Sequence, residues 1–364
     1  MNEHAPRISI AMATYNGARH IREQLDSLSA QTLAPYELVV TDDGSTDATL
    51  EIVADFASIA PFPVHIHRNE KRLGFADNFL YAASLCGGEF IAFCDQDDVW
   101  MAEKLATCAS AFADPDVLLV MHAARVTGPD LTPTGQFYPD IKKRRTFRAL
   151  LGNIWQTVPG FAIVCRSSLL GLVDSNLRPF NFFEDPRKKI PTGHDAWVFF
   201  LSQSLGKTVF VEVPLAKYRV HGANTEGPPK PVSLRENLAL SYRTNTARYA
   251  NLVTISKQHV TVLTAIERNP SIPSEFRLRA ECARRYWERQ ERDLGRRAIL
   301  YANSSTFARL RSFITLLAGG AYRPSERGGF GLRGLAKDLV TFGLFWQRLK
   351  GESSTEAKNM DRSS

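Results

Sequence analysis

Three carboxylates follow directly on an apolar run in the first third of the chain. Residues 89–94 read Glu-Phe-Ile-Ala-Phe-Cys, a pattern typical of a buried strand. The acids Asp95, Asp97 and Asp98 come immediately afterwards. Carboxylates so close together repel one another unless a cation or sugar hydroxyls occupy the gap. The alternative is a solvated turn that caps the next helix. One acid is enough for a cap, so three acids within four residues favour a metal or polar-ligand site.

Three other polar clusters follow predicted strands. Residues 14–16 read Thr-Tyr-Asn, residues 42–47 read Asp-Asp-Gly-Ser-Thr-Asp, and residues 71–78 form a cationic loop with one glycine. Each cluster alone also fits a simple turn between a strand and a helix. No GxGxxG follows the first strand, so the set suits a nucleoside diphosphate better than NAD. A metal held by carboxylates could neutralise such a diphosphate.

Strand and helix patterns alternate through the first 120 residues. This alternation predicts a parallel sheet with helices on both of its faces, and ligands bind such sheets at the carboxyl ends of the strands. We predict strands over 7–14, 36–41, 64–67 and 90–94, and helices over 19–30, 46–58, 75–85 and 104–112. Further along the chain we predict strands over 116–126, 161–165 and 208–213 and a helix over 196–204.

The charge of the chain is unevenly distributed. Of a formal net charge of +7, residues 1–226 contribute 21 Lys+Arg against 26 Asp+Glu, and residues 227–364 contribute 24 against 12. A basic segment of this kind suits nucleic acid or the anionic face of a membrane. No apolar run approaches the ~20 residues that span a bilayer, and no signal-peptide profile is present. The five cysteines lack metal-type spacing and are typical of a reduced cytosolic protein.

A proline-rich linker over 227–231 falls where the charge balance changes sign. The chain after it is predicted to be helical, over 233–267, 274–303, 307–317 and 335–349. The tail from 351 to 364 is predicted to be disordered. The last two helices interleave large apolar residues with Arg and Lys. Packing on the protein's own domain and binding to a membrane surface both explain that pattern.

Five motifs in this order resemble inverting glycosyltransferases of family 2, which have the GT-A fold. The resemblance covers about residues 7–225. The motifs are Thr14-Tyr15-Asn16, Asp42-Asp43-Gly44-Ser45, Asp95-Gln96-Asp97-Asp98, Gly193-His194-Asp195 and Tyr218-Arg219-Val220-His221. The form Cys-Asp-Gln-Asp-Asp-Val-Trp is similar to bacterial rhamnosyltransferase-like members. The resemblance implies an α/β fold with a Rossmann-like, mostly parallel sheet in residues 1–226. The sequence pattern adds the basic, mostly helical region over 227–350.

The resemblance also implies roles for individual residues. Asp195 matches the general base, Asp97 matches the metal-binding acid, and His221 would meet the metal or the diphosphate from the far side of the cleft. His194 and Trp197 are candidate acceptor contacts, although a helix cap and a core position explain them equally well. The nucleotide-sugar contacts that we expect are Thr14, Tyr15, Asn16, Asp43, Arg72, Asn78, Asp95 and Gln96.

We therefore predict an inverting glycosyltransferase that depends on Mg²⁺ or Mn²⁺. The expected reaction moves L-rhamnose from dTDP-rhamnose to a saccharide or lipid-linked acceptor of a bacterial surface polysaccharide, in the cytoplasm at the inner face of the membrane. One alternative is a family 2 enzyme that uses UDP-galactose, UDP-glucose or a UDP-N-acetylhexosamine. The other is a basic nucleic-acid-binding protein without transferase activity. Against it, the C-terminal aromatics follow helical spacing and the carboxylates would repel a polyanion.

Overall fold

The computed structural model describes residues 5–156, 158–181, 188–222, 245–302, 305–324 and 327–340. The chain divides into two compact units. The larger takes its described residues from Met1–Leu150, Trp155–Pro231 and Val262–Ala283, and the smaller takes the others. The linker over 227–231 and the tail over 351–364 lie outside the described residues. The predicted division at residue 226 therefore stays a prediction.

The larger unit is built on a ten-stranded mixed sheet. Its main path runs β3-β2-β1-β4-β9-β6-β10-β5, while β7 pairs with β6 and β8 pairs with β10. The strands are β1 (Ile8–Thr14), β2 (Glu37–Asp42), β3 (Val64–Arg68), β4 (Phe90–Cys94), β5 (Val99–Trp100), β6 (Val117–Thr127), β7 (Pro133–Phe137), β8 (Arg145–Phe147), β9 (Ile163–Arg166) and β10 (Lys207–Arg219).

Helices connect these strands and make up most of the described C-terminal region. Helices α1 and α2 contact each other, and α3 packs against β1, β2 and α5. Apolar residues at helical spacing, such as Ile21, Leu25 and Leu28 of α1, supply the buried faces. The helices are α1 (Ile21–Ser29), α2 (Thr49–Ala57), α3 (Phe75–Leu85), α4 (Lys104–Ala111), α5 (His194–Leu205), α6 (Asn245–Arg268), α7 (Ser274–Tyr301) and α8 (Thr306–Ala318).

The strand directions bring the motifs to one edge of the sheet. Strands β1, β2, β3 and β4 are mutually parallel, and β9 runs antiparallel to both β4 and β6. Strand β6 therefore runs in the same direction as β4, and β10 runs parallel to β6. The carboxyl ends of β1, β2, β4 and β10 consequently meet at the same edge. The sheet order changes direction at β1, where open α/β sheets place their ligands.

The predicted fold class is confirmed as an α/β fold with a helical C-terminal region, and the sheet is more mixed than expected. Sequence analysis missed β5, β7 and β8, and it ended β10 at residue 213 rather than at Arg219. Every residue of β7 is exposed, so no apolar alternation marks that strand. The predicted helical stretches over 233–244 and 341–349 lie outside the described residues.

The smaller unit contains a buried polar network. The Asp338 carboxylate is inaccessible to solvent and accepts hydrogen bonds from Arg297, Tyr301 and Tyr322. A buried carboxylate is stable when charged and hydroxyl donors surround it in this way. Within the described residues, no helix is both long enough and apolar enough to cross a bilayer.

Candidate functional site

The acidic segment connects β4 to the short strand β5. Strand β5 pairs antiparallel with the end of β10, with Trp100 opposite Ala216. This pairing brings Asp97 beside His221, although 124 positions separate the two in sequence. Asp97 Oδ2 and His221 Nε2 lie 2.9 Å apart. The predicted metal-binding pair is therefore brought together by the sheet.

The three acids of this segment have different surroundings. Asp98 is fully buried, and its Oδ1 accepts a hydrogen bond of 2.9 Å from the backbone N–H of Arg219. Burial, followed by the carboxylates of Asp97 and Asp195, raises the pKa of Asp95. Asp98 therefore belongs to the framework, whereas Asp95, Asp97 and Asp195 are close enough to interact electrostatically.

The predicted general base lies in the first turn of α5. Helix α5 precedes β10, so its amino end lies at the edge of the sheet where the strands end. Asp195 is partly exposed, and its Oδ1 accepts a hydrogen bond of 2.7 Å from the backbone N–H of Ala196. The amino end of a helix favours the ionised form of a carboxylate, which is the form a general base requires.

The second polar cluster fixes a loop at the predicted nucleoside site. Asp43 Oδ1 accepts hydrogen bonds from Asn69 Nδ2 at 2.7 Å and from the Leu73 backbone N–H at 2.9 Å. Asp43 Oδ2 accepts one from the Gly74 backbone N–H at 2.8 Å. Gly74 has a φ of 85°, which favours glycine at this start of α3. Asp43 thus holds the cationic loop against β2.

Tyr15 and Arg72 form an exposed surface beside that loop. The guanidinium carbon of Arg72 lies 4.0 Å from the centroid of the Tyr15 ring. Asn16 adopts a φ of 49°, and its side-chain oxygen accepts a hydrogen bond of 2.9 Å from the Thr46 backbone N–H. These positions suit contact with a flat base and a ribose, because a stacked ring and cation present both a face and hydrogen-bond donors.

Several predicted ligand contacts serve the framework instead. The Thr14 hydroxyl is buried and donates to Asp42 Oδ2 at 2.8 Å. The Asn78 side chain is 2% exposed, donates to the Thr41 carbonyl and accepts from Asn69. The Gln96 amide bonds both the backbone N–H and the carbonyl of Tyr15. Thr14 and Asn78 are thus bonded to the framework, Gln96 supports the loop that carries Tyr15, and their nucleotide contacts stay predictions.

His194 and Trp197, the predicted acceptor contacts, both have buried side chains. Trp197 is only 1% exposed and stacks on Phe200 within the core. His194 is buried against Phe79 and Phe93, with ring centroids 4.2 and 4.9 Å away. Burial lowers the pKa of His194 to about 3, so its ring is neutral near pH 7. Both residues therefore form the packed base of α5 beneath Asp195.

The donor set of Asp97 and His221 fits a divalent metal. A carboxylate oxygen and an imidazole nitrogen are both ligands of divalent first-row ions, and here the two atoms share a hydrogen bond of 2.9 Å. Within the described residues, no group of three or more His, Cys, Asp or Glu side chains is arranged to hold a metal. One or two protein ligands suffice where substrate phosphates complete the coordination.

Sequence reasoning missed two residues that touch this pair. The ring of His20 stacks on His221 with centroids 4.9 Å apart. The Arg219 guanidinium donates to the backbone carbonyl of Asp97 at 2.7 Å. His20 carried no signal in the sequence, because it lies just before α1 and outside the five motifs. Arg219 lay within the Tyr-Arg-Val-His motif, but a sequence does not reveal which carbonyl an arginine will reach.

Comparison with known proteins finds a family match in the front of the chain. Residues 9–171 match the family model described as glycosyl transferase family 2. The uncharacterized glycosyltransferase alr2836 of Nostoc sp. is 31% identical over 223 residues, which cover 60% of this chain and 66% of that protein. The chain thus spans just under two thirds of this relative.

Two relatives with named activities match shorter segments. The UDP-Glc:alpha-D-GlcNAc-diphosphoundecaprenol beta-1,3-glucosyltransferase WfgD of Escherichia coli is 38% identical over 27% of this chain and 38% of its own. The dTDP-rhamnosyl transferase RfbG of Shigella flexneri is 36% identical over 26% of this chain and 34% of its own. A crystal structure of S. aureus TarS 1–349 with UDP covers 92% of this chain and 89% of that one, at a TM-score of 0.47 and 19% identity.

Proposed function

We propose that this protein is an inverting glycosyltransferase with a nucleotide-sugar donor, in keeping with the match of residues 9–171 to the model of glycosyl transferase family 2. One observation carries the proposal. Asp97 Oδ2 and His221 Nε2 lie 2.9 Å apart, and burial followed by the carboxylates of Asp97 and Asp195 raises the pKa of Asp95 beside them. Segments more than a hundred residues apart thus form one polar site at the carboxyl ends of the strands.

The chemistry assigns the two sides of this site different tasks. A sugar hydroxyl is a poor nucleophile, so Asp195 accepts its proton as the oxygen attacks the anomeric carbon of the donor. Asp97 and His221 would hold the metal, which would supply positive charge against the developing charge of the departing diphosphate. The acceptor oxygen attacks one face of the anomeric carbon and forms the glycosidic bond, while the bond from that carbon to the diphosphate oxygen breaks on the other face. The nucleoside diphosphate leaves, and the anomeric centre inverts.

We propose Mn²⁺ or Mg²⁺ as the metal, with Mn²⁺ the better fit. Mg²⁺ prefers oxygen ligands alone, whereas later first-row ions also accept imidazole nitrogen. His221 supplies such a nitrogen beside the Asp97 carboxylate. The donor diphosphate would complete the coordination.

We propose dTDP-L-rhamnose as the donor. The segment Cys94–Trp100 carries the resemblance to rhamnosyltransferase-like proteins, and the Shigella relative is named as a dTDP-rhamnosyl transferase. The alternative donors are UDP-galactose, UDP-glucose and UDP-N-acetylhexosamines, and the Escherichia coli relative is named for UDP-glucose. Tyr15 and Arg72 offer a face to thymine and uracil alike, so the base-stacking surface favours neither donor.

We propose a saccharide or lipid-linked acceptor of a surface polysaccharide, reached from the cytoplasmic face of the membrane. The name of the Escherichia coli relative includes a diphosphoundecaprenol. Helix α8 supports a membrane location, because Phe307, Leu310, Ile314 and Leu317 are exposed along one of its faces. Residues 305–340 contain six Lys+Arg and two Asp+Glu. An apolar face within a basic region suits an anionic lipid surface.

A thermal-shift screen of the full-length chain tests donor and metal together. We expect dTDP-rhamnose with Mn²⁺ to raise Tm more than dTDP-rhamnose alone, since ligands that bind only the native state stabilise it. UDP-sugars with Mn²⁺ serve as the comparison. A larger shift with a UDP-sugar would replace the proposed donor, and no shift with any nucleotide sugar would argue against the proposed function.

Replacement of Asp195 tests the base. Asp195→Asn removes the proton acceptor but keeps the shape and the bond from Ala196. We expect transfer to fall by a factor of about 10² to 10⁴ while donor affinity stays within about twofold. Radiolabelled sugar transfer and nucleotide titration measure the two effects. Transfer at the wild-type rate would show that another group takes the proton.

A further inference from the structure

The buried guanidinium of Arg219 connects three separate segments at the edge of the site. Its side chain is 2% exposed at the end of β10. Arg219 Nε donates to the Asp97 carbonyl at 2.7 Å, and Nη1 donates to the Pro129 carbonyl at 2.6 Å. Nη2 pairs with the carboxylate of Glu23 on α1. The backbone N–H of the same residue donates to Asp98 Oδ1 at 2.9 Å.

These contacts lie between the two candidate metal ligands. Asp97 is bonded to Arg219 through its own carbonyl, and His221 follows Arg219 by two residues. Strand β5 pairs with β10 at Val99 opposite Lys217, which brings the two strand ends together. Arg219 therefore connects the end of β10 to the loop before β5 in two ways. Its backbone N–H bonds Asp98, and its guanidinium bonds the Asp97 carbonyl.

We propose that Arg219 is a positioning residue that sets the separation of Asp97 Oδ2 and His221 Nε2 for metal binding. This inference rests on the proposed function of the site. The guanidinium is planar and presents donors in a fixed fork, so its bonds to the Asp97 and Pro129 carbonyls constrain direction as well as distance. Glu23 compensates the buried charge. A lysine at this position keeps the charge but has one nitrogen for three acceptors.

The chain offers a matched control for the loss of a buried arginine fork. Arg166 Nε donates to the Val117 carbonyl at 2.8 Å, and Arg166 Nη2 donates to the Phe112 carbonyl at 3.0 Å. Val117 begins β6, so Arg166 lies at the edge of the sheet opposite the site. Arg166→Lys removes a similar set of carbonyl bonds without touching either metal ligand.

The experiment measures Mn²⁺ binding to full-length variants by electron paramagnetic resonance, alone and with dTDP or UDP. We expect Arg219→Lys to weaken Mn²⁺ binding by about 10- to 100-fold, the usual effect of losing a residue that orients a metal ligand. Arg166→Lys should leave Mn²⁺ affinity within about twofold of wild type. It should lower Tm by about as much as Arg219→Lys does. Equal Mn²⁺ affinity in Arg219→Lys and wild type would overturn the positioning role.

A double-mutant cycle identifies the ligand through which Arg219 acts. In a His221→Ala background, Arg219→Lys should weaken Mn²⁺ binding by less than about threefold, because the ligand that it positions is gone. The same 10- to 100-fold loss in both backgrounds would refute positioning of His221. Wild-type protein that binds neither Mn²⁺ nor nucleotide would refute the proposed function and this inference together.

A milder variant keeps the test informative if Arg219→Lys does not fold. Glu23→Gln retains Arg219 and removes only its charged partner, whose side chain is half exposed on α1. We expect Glu23→Gln to fold as wild type does and to weaken Mn²⁺ binding by a few-fold, since the guanidinium loses one of its three anchors. Unchanged Mn²⁺ affinity in Glu23→Gln would contradict the inference.

Discussion

Adjacent acids acquire different roles when the chain folds around them. Asp98 is buried beneath the backbone of Arg219, whereas Asp97, one residue earlier, faces His221. Asp95 directly follows β4, and its pKa is raised by burial together with the Asp97 and Asp195 charges. Each difference arises from a segment distant in sequence. The residue types predicted a site for a cation or a polar ligand, but only the fold separates framework from ligand.

Gly160 is required by the packing beneath the candidate base. A Cβ at Gly160 would lie 2.3 Å from His194 Nε2, and His194 packs against Phe79. We expect Gly160→Ala to destabilise the protein by about 1–3 kcal/mol, the usual cost of overpacking a core. Transfer activity should also fall, because a displaced His194 moves Asp195. Urea unfolding and sugar transfer measure the two effects.

Gly171→Ala is the matched control for that substitution. A Cβ at Gly171 meets no atom within 4 Å, so its stability should stay within about 0.5 kcal/mol of wild type. If Gly160→Ala were as stable and as active as Gly171→Ala, the packing of His194 would not be what fixes Asp195.

At the scale of elements, the sequence predicts regular structure best where apolar periodicity is strong. The predicted strand over 90–94 matches β4, and the predicted helix over 75–85 matches α3. Strand β10 extends to Arg219 through irregular pairing around Pro214, where its register with β6 shifts. A proline and a shift in register interrupt the alternation that marks a strand. Pattern alone therefore ended this strand too early.

Helix α8 should bind anionic membranes through its exposed apolar face. Phe307 and Ile314, one heptad apart, are 75% and 55% exposed. We expect Phe307→Ser with Ile314→Ser to reduce flotation with phosphatidylglycerol vesicles by about tenfold or more, since each change removes apolar area from the bilayer contact. The mechanism also requires flotation to weaken as salt rises, because lysines and arginines contribute.

Leu278→Ser provides the comparison for exposed apolar residues in general. Leu278 on α7 is 62% exposed but lies outside α8. Flotation of Leu278→Ser should equal that of wild type. Equal flotation of all three proteins would remove α8 as the contact surface.

At the scale of the whole molecule, burial separates the predicted site residues that bond the framework from those that face solvent. Thr14, Asn78 and Trp197 have residue types suited to a ligand and lie in motifs at the site. Each side chain instead satisfies a neighbouring strand or helix in the core. Whether a side chain faces ligand or core depends on packing from distant segments. One sequence can therefore predict the edge of the sheet that carries the site more reliably than the atoms that line it.

Buried neutral histidines should make stability fall on acidification. Burial holds the pKa of His259, beside Trp287, at about 3, against ~6.5 when unfolded. Between these values the unfolded chain binds the additional proton, so the free energy of unfolding falls as pH decreases, by about 1.4 kcal/mol per unit for each such group. His259→Gln should remove this dependence between about pH 6 and 4. Urea titrations measure the free energy of unfolding of wild type and variant at each pH. Taking the difference between the two proteins cancels the contributions of the other titratable groups. That difference should be constant above pH 7, and a constant difference down to pH 4 would show that His259 is protonated in the folded state.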